Sequence, residues 1–229
     1  TNSSTQEVTV TVTDVNEAPS ITSSASFSAA ENQTAIGTVT ATDPESDTLT
    51  FSVSGSDLAI DSSTGVLTFA SAPDFETTTS VTATVTVSDG TNSSTQEVTV
   101  TVTDVNEAPS VTSGAAFTAE ENQTAIGTVT ATDPESDTLT FSVSGSTLEI
   151  NSSTGVLTFA SAPDFETTTS VTATVTVSDG SLTDTQEVTV TVTDVNEAPS
   201  VTSGATFTAA ENQTAVGTVT ATDPESDTL

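Results

Sequence analysis

Thr95-Gln96-Glu97-Val98-Thr99-Val100-Thr101-Val102-Thr103 alternates valine with threonine and runs directly into Asp104-Val105-Asn106-Glu107-Ala108-Pro109. Side chains of an extended chain point to opposite faces with period two, so the valines form one face of a strand and the threonines the other. The acidic hexapeptide that follows ends in proline, which has no N–H to continue a ladder. The same hexapeptide stands at Asp14 to Pro19 and at Asp194 to Pro199, a spacing of 90 residues each time. A fixed period outranks any estimate of domain count from length, and it makes the hexapeptide a joint between repeated units.

Residues 20–109 and 110–199 align without a gap and differ at twelve of ninety positions. The chain therefore reads as 1–19, the last strand and linker of a preceding repeat; two whole repeats, 20–109 and 110–199; and 200–229, the first strands (A and B) of a following one. It has the appearance of a window cut from a longer array. No initiator methionine, signal peptide or membrane span is visible, which in such a window says nothing about targeting.

Within a repeat, strand signals follow one another closely and no period of 3.6 intervenes. The expected strands are A near Ser20 to Ala29, B over Thr34 to Thr42, C over Thr48 to Ser54, a short strand at Leu58 to Asp61, then Val66 to Phe69, F over Ser80 to Ser88 and G over Thr95 to Thr103. Gly37 interrupts strand B as a bulge or close-approach point. Ser62-Ser63-Thr64-Gly65 turns one strand into the next, as does Asp89-Gly90. Seven strands in ninety residues predict an all-β fold, a tandem series of immunoglobulin-like Greek-key β-sandwiches in an extended array. The large side chains of the first repeat are only Phe27, Phe51, Phe69 and Phe75, a thin core for its size, so a further source of stability is expected.

Lysine, arginine and histidine are absent, against 32 aspartates and glutamates. Side-chain salt bridges are impossible, and each carboxylate must be solvated, hydrogen-bonded or bound to a cation from outside. The charge excludes nucleic acid and direct contact with an anionic membrane, which both require a basic surface. The alternating apolar runs separate the chain from disordered acidic tails. The absence of cysteine removes disulfides as staples.

The loop carboxylates are concentrated by the topology. In a seven-strand sandwich successive loops alternate between the two ends, so the loops after A, after the strand at Val66 to Phe69 and after G share one end and those after B and F the other. For the joint at 104 this gathers Glu31, Asp74, Glu76, Asp104, Asn106 and Glu107 from one repeat with Asp133, Glu135, Asp137 and Asp179 of the next. The joint at 14 carries Asp14, Asn16 and Glu17 with Asp43, Glu45, Asp47 and Asp89; that at 194 carries Glu121, Asp164, Glu166, Asp194, Asn196 and Glu197 with Asp223, Glu225 and Asp227. Two carboxylates about 5 Å apart repel by roughly 3 kcal/mol at an effective dielectric near 20, so such a set requires neutralising ions. Hard oxygen ligands in this number and without fixed geometry suit Ca2+, about two or three ions per joint.

These residues carry a resemblance to cadherin repeats. Ala30-Glu31-Asn32 resembles that family's glutamate motif, Ala41-Thr42-Asp43-Pro44-Glu45 its AxDxD loop, Pro73-Asp74-Phe75-Glu76 its LDRE and Ser88-Asp89-Gly90 its single aspartate after strand F. Asp104 to Pro109 resembles the linker DxNDNxP, one residue shorter and with Glu107 where aspartate is usual. The likeness runs through both whole repeats and is nearer to the cadherin-like repeats of large prokaryotic surface proteins. It implies a non-enzymatic, extracellular or cell-surface segment whose calcium-filled joints stiffen the array, with neighbouring repeats as its first partners. The alternatives are a glycan- or protein-binding adhesion module and the subunit of an extracellular filament.

Asp43, Glu45 and Asp47 imitate the start of an EF-hand, but Thr48 occupies the glycine position and Ser54 that of the closing glutamate, which rejects it. Asp57, Asp61, Glu97, Glu149 and Asp184 read as ordinary solvated charges. Asn32-Gln33-Thr34 and Asn92-Ser93-Ser94 match the glycosylation sequon, as so serine- and threonine-rich a chain will by chance.

Overall fold

The computed structural model describes residues 1–145, 147–226 and 228. It divides into two compact units, Thr1–Asn106 and Glu107–Leu229. Among the described residues every regular element is a strand, and no helix is long and apolar enough to cross a membrane.

In the first unit the strands are β1 (Ser20–Ile21), β2 (Ser26–Ala30), β3 (Ala35–Thr38), β4 (Ala41–Thr42), β5 (Thr50–Val53), β6 (Leu58–Ile60), β7 (Val66–Phe69), β8 (Ser80–Ser88) and β9 (Ser93–Thr103). One sheet has the order β2-β9-β8-β5 and the other β3-β7-β6, with β1 and β4 paired as a short ribbon. The second unit repeats the plan with β10 (Ser110–Val111), β11 (Ala116–Glu120), β12 (Ala125–Thr128), β13 (Ala131–Thr132), β14 (Thr140–Val143), β15 (Leu148–Ile150), β16 (Val156–Phe159), β17 (Ser170–Ser178) and β18 (Thr183–Thr193). It also holds β19 (Ser200–Val201) and β20 (Ala221–Thr222), which pair with each other.

The expected all-β tandem sandwich is thus present. The alternation along β8 and β9 does what period two requires. Val85, Val87, Val98, Val100 and Val102 are buried, and with Ala29, Val39, Leu58, Leu67 and Phe69 from both sheets they form one core cluster. Phe51, Val53 and Phe75 pack against its rim. Its counterpart in the second unit is built from the corresponding residues.

Two strands differ from the expectation. Strand A is divided: β1 pairs antiparallel with β4 (Ser20↔Thr42), whereas β2 runs parallel to β9 (Ser26↔Thr99 to Ala30↔Thr103). The break falls on Ser23-Ser24, where the Ser24 hydroxyl accepts the N–H of Ser26 at 3.0 Å; the second unit divides at the same place with Gly114 in the serine's position, so the division does not depend on that hydrogen bond. Strand B is divided into β3 and β4, and its register shifts between Ala35 and Gly37. Gly37 also proves a close approach, since a Cβ there would lie 3.3 Å from the Phe27 ring.

Gly65 is required outright. Its φ is +72°, and a Cβ would stand 2.3 Å from the carbonyl oxygen of Val39, so no other residue fits the turn into β7. That turn also corrects the reading of Asp61 as a solvated charge. Its carboxylate accepts the N–H of Ser63 (3.0 Å) and both the N–H and hydroxyl of Thr64 (2.8 Å each). These donors hold its pKa below the usual aspartate range. Asp184 is likewise engaged, accepting the N–H of Val111 at 2.9 Å.

The terminal pieces carry less structure than their sequences suggest. No strand forms over 1–13, and of the strands A and B expected in 200–229 only the two-residue pieces β19 and β20 form among the described residues. Without a facing sheet among the described residues, the valine face of the first piece has nothing to pack against.

Candidate metal centre

Glu31 stands at the turn that ends β2. Its N–H donates to the Thr103 carbonyl at 3.0 Å, and that of Asn32 to the Pro73 carbonyl at 3.0 Å. Asn32 has φ = 59°, a left-handed conformation that asparagine tolerates better than most residues. This chain reversal turns the Glu31 side chain inward, where it is only 2% exposed. One carboxylate oxygen accepts the N–H of Phe75 at 2.6 Å and the other that of Val105 at 2.8 Å. A single buried carboxylate therefore ties the Asp74-Phe75-Glu76 loop to the first residues of the linker. Around it, Glu31, Glu76 and Asp104 each offer an oxygen, all within 4.8 Å of one another.

The second unit repeats this clamp. Glu121, 1% exposed, accepts from Phe165 N (2.7 Å) and Val195 N (2.7 Å), and these two N–H groups hold its pKa below the usual glutamate range. Glu121, Glu166 and Asp194 place oxygens within 4.8 Å of one another, and a second such group joins Glu166, Glu197 and Glu225. Glu166 belongs to both. Its own backbone N–H works to lower its pKa, but burial and the charges of Glu121, Glu197 and Asp194 prevail and raise it. Like charges this close disfavour ionisation.

The loop after strand B supplies the other half. Asp43 accepts the N–H groups of Glu45 and Asp47 at 3.0 Å each, while the Ser46 N–H reaches the Asp43 carbonyl at 3.2 Å. Ser46, Ser136 and Ser226 take left-handed φ of 63–64° at the tips of the three copies. In every copy the linker glutamate then donates its backbone N–H to the loop glutamate: Glu17 to Glu45 (3.2 Å), Glu107 to Glu135 (3.2 Å) and Glu197 to Glu225 (3.1 Å). Asp14, Glu17 and Glu45 form a group within 4.8 Å in the first unit. The pKa of Glu45 is raised by the hydrogen-bonded Glu17 carboxyl and then by burial, and those of Glu135 and Glu225 are raised first by burial.

These loops contain acceptors that no protein donor serves. Asp43 Oδ2, Asp133 Oδ2, Glu135 Oε1 and Glu225 Oε2 are buried with no hydrogen-bond partner. A buried carboxylate oxygen left without a donor is costly. In a chain with no lysine, arginine or histidine, no cationic side chain can serve them.

A search of protein families matches the model described as Bacterial Ig domain at residues 16–103 and 106–191. The chain belongs to the bacterial Ig domain family. No curated protein matches the sequence. Among solved structures, this bacterial Ig chain is similar to mouse cadherin-23 EC22–24, with TM-score 0.63 and 21% identity over 92% of this chain and 78% of that one. It is also similar to human cadherin-23 EC21–23 (TM-score 0.63, 20% identity, 91% and 80% covered). A third likeness is to human protocadherin-24 EC1–2 (TM-score 0.61, 20% identity, 79% and 100% covered). The repeats of this bacterial Ig chain are therefore cadherin-like in fold.

The remaining expected site residues are placed variously. Asp89 accepts the N–H groups of Thr91 and Asn92 at 2.6 Å each, and its other oxygen accepts Asn16 Nδ2 at 2.9 Å; the backbone N–H of Asn92, that of Thr91 and the Asn16 amide lower its pKa in that order. Asp179 accepts from Ser181 N and Leu182 N at 2.5 and 2.6 Å. Asn196 donates to the Glu197 carbonyl at 3.1 Å. Asp74 caps its own turn through Thr77 N at 3.3 Å, and among the described residues neither it nor Asp47, Asp137, Asp164 or Asp223 belongs to a close carboxylate group. Asp227 lies outside the described residues.

Sequence reasoning passed over the residues that hold the linker. Asn92 Nδ2 donates to the Asn16 carbonyl at 2.9 Å and Ser94 Oγ to the Pro19 carbonyl at 2.5 Å.

Proposed function

We propose that this bacterial Ig chain is a calcium-rigidified structural or adhesive segment of a large extracellular surface protein or fibre. Tandem Ig-type repeats of cadherin-like fold are typical of adhesion and structural segments. The domain boundaries are those of the sequence period: repeats at 20–109 and 110–199, flanked by pieces of neighbouring repeats at 1–19 and 200–229. The first partners are the adjoining repeats of the same chain.

The observation that carries the reading is the pair of carboxylate groups at the linker 194–199. They share Glu166, and the second includes Glu225, one of whose oxygens is buried with no hydrogen-bond partner. Five carboxylates at one linker are a fit for divalent ions held by hard oxygen donors. Glu121, Glu166 and Asp194 would hold one ion and Glu166, Glu197 and Glu225 a second, which favours the lower end of the two or three expected. The same residue types recur at the joints at 14 and 104. When bound, calcium supplies positive charge that removes the mutual repulsion of the linker carboxylates. The chain's own groups do the rest: Glu121 fixes the start of the linker, and the Glu197 N–H orients Glu225.

Small-angle scattering of chelator-stripped protein, before and after calcium addition, tests the functional half of this proposal. The reading expects a flexible ensemble in chelator to narrow on calcium addition, with magnesium less effective. Superimposable profiles in chelator and calcium would refute stiffening.

A further inference from the structure

Asn122 follows the buried Glu121. Its φ is 61°, and its N–H donates to the Pro163 carbonyl at 3.0 Å. Its side-chain amide Nδ2 donates to Glu197 Oε1, across 75 residues of sequence. Glu197 is one of the three carboxylates grouped with Glu166 and Glu225, so Asn122 is a neutral donor attached to an otherwise wholly acidic cluster. The left-handed backbone explains the choice of residue. Asparagine tolerates that conformation, and the reversal at residue 122 turns Glu121 inward and the amide toward the linker in the same step.

From this we infer that Asn122, resting on the calcium reading above, is a positioning residue for the second ion: its amide holds Glu197 in the orientation in which it can act as a ligand. A donor to a carboxylate forms a charge-assisted hydrogen bond. Such a bond restricts the side chain while leaving lone pairs for a cation. It also offsets part of the repulsion from Glu166 and Glu225 before any ion arrives, so the site need not be assembled wholly at the expense of binding free energy. Partners of this kind, outside the ligand set, typically govern metal affinity by 10- to 100-fold. Asn32 and Asn212 share the left-handed conformation at the corresponding positions.

Two variants separate the amide from the backbone. Asn122→Gly keeps the left-handed turn without strain and deletes the donor. Asn122→Asp keeps the shape and substitutes a fourth negative charge for the donor. The whole chain, stripped with chelator, is titrated with calcium by calorimetry, and amide hydrogen exchange over 194–198 is followed in chelator. Asn122→Gly should weaken calcium binding at one class of sites about 10-fold and speed exchange at the linker, with only a small fall in the melting temperature in chelator; Asn122→Asp should weaken it further. Wild-type calcium binding with unaltered affinity in both variants would overturn the role of Asn122 alone. So would a fall in affinity matched by an equal loss of stability in chelator. Absence of calcium binding to the wild-type chain would overturn the calcium reading and this inference together.

Discussion

The same twenty residues, TNSSTQEVTVTVTDVNEAPS, stand at 1–20 and at 91–110, yet the two stretches differ in structure. In the second copy Val98, Val100 and Val102 are at most 1% exposed within β9, between β8 and β2. In the first, Val8, Val10 and Val12 are 76–89% exposed and no strand forms. Intrinsic preference is the same in both places, so the strand is made by the sheet it joins, as expected where β-propensity is mostly a measure of packing. The linker follows suit. Val105 N is held by buried Glu31, whereas Asp14 groups with Glu17 and Glu45 of the loop ahead. Each copy of the hexapeptide displays the half of its chemistry that its neighbours complete.

The largest effect should come from breaking this contrast in the core. Val100→Ala removes packing from a fully buried site and should cost about 2 kcal/mol, while the chemically identical Val10→Ala should fall within about 0.5 kcal/mol of wild type. Chemical denaturation measures both. Equal effects would mean that the first copy is packed after all.

Glu31→Ala and Glu17→Ala carry the contrast to the site. Removing Glu31 strips the acceptor from Phe75 N and Val105 N, and the melting temperature in chelator should fall clearly. Removing the Glu17 side chain relieves Glu45, so melting in chelator should hold or rise.

Acidity gives a third, smaller effect. Glu45, Glu135, Glu166 and Glu225 have raised pKa values in the folded chain. Stability from their protonation is complete below the unfolded glutamate value and is lost as pH rises through the raised folded values. Asp61, Asp89 and Glu121 have lowered values, and their contribution, present above the unfolded values, is lost as pH falls through the folded ones. Ion-free protein should therefore melt highest in mild acid, and saturating calcium should move that optimum toward neutrality. Melting curves across pH in chelator and in calcium would show it; the same optimum in both would contradict it.

The smallest contrast is between the two turns before β7 and β16. Asp61 serves the first, whereas Asn151 serves the second by accepting Ser153 N and Thr154 N at 3.0 Å each, with no charge to lose. Asp61→Asn should leave neutral stability almost unchanged and flatten part of the acid limb of the first repeat's unfolding.

The fold was legible because its longest strands obey a strict period of two and its repeat length is fixed. The division of strand A was not, because the choice between two sheets at Ser23-Ser24 is made by hydrogen bonds to residues far along the chain. Loop alternation sufficed to bring Glu31, Glu76 and Asp104 together. It did not reveal the burial of Glu31, since the two N–H groups that make burial tolerable come from residues 44 and 74 positions away. Asp61 was misread for the opposite reason: its partners are only two and three residues on, and Asp-Ser-Ser-Thr-Gly was signal enough for a capped turn.

Calcium titration of the chelator-stripped chain by calorimetry, alongside Glu166→Gln, tests the central claim most directly. The account predicts saturable binding of more than one ion per joint, with dissociation constants of order 0.1 to 1 mM as in other extracellular modules, and a melting temperature that rises with occupancy. Glu166→Gln should weaken both sites of its joint, because it belongs to both carboxylate groups. No saturable binding up to about 10 mM calcium, well above that range, with an unchanged melting temperature, would contradict it.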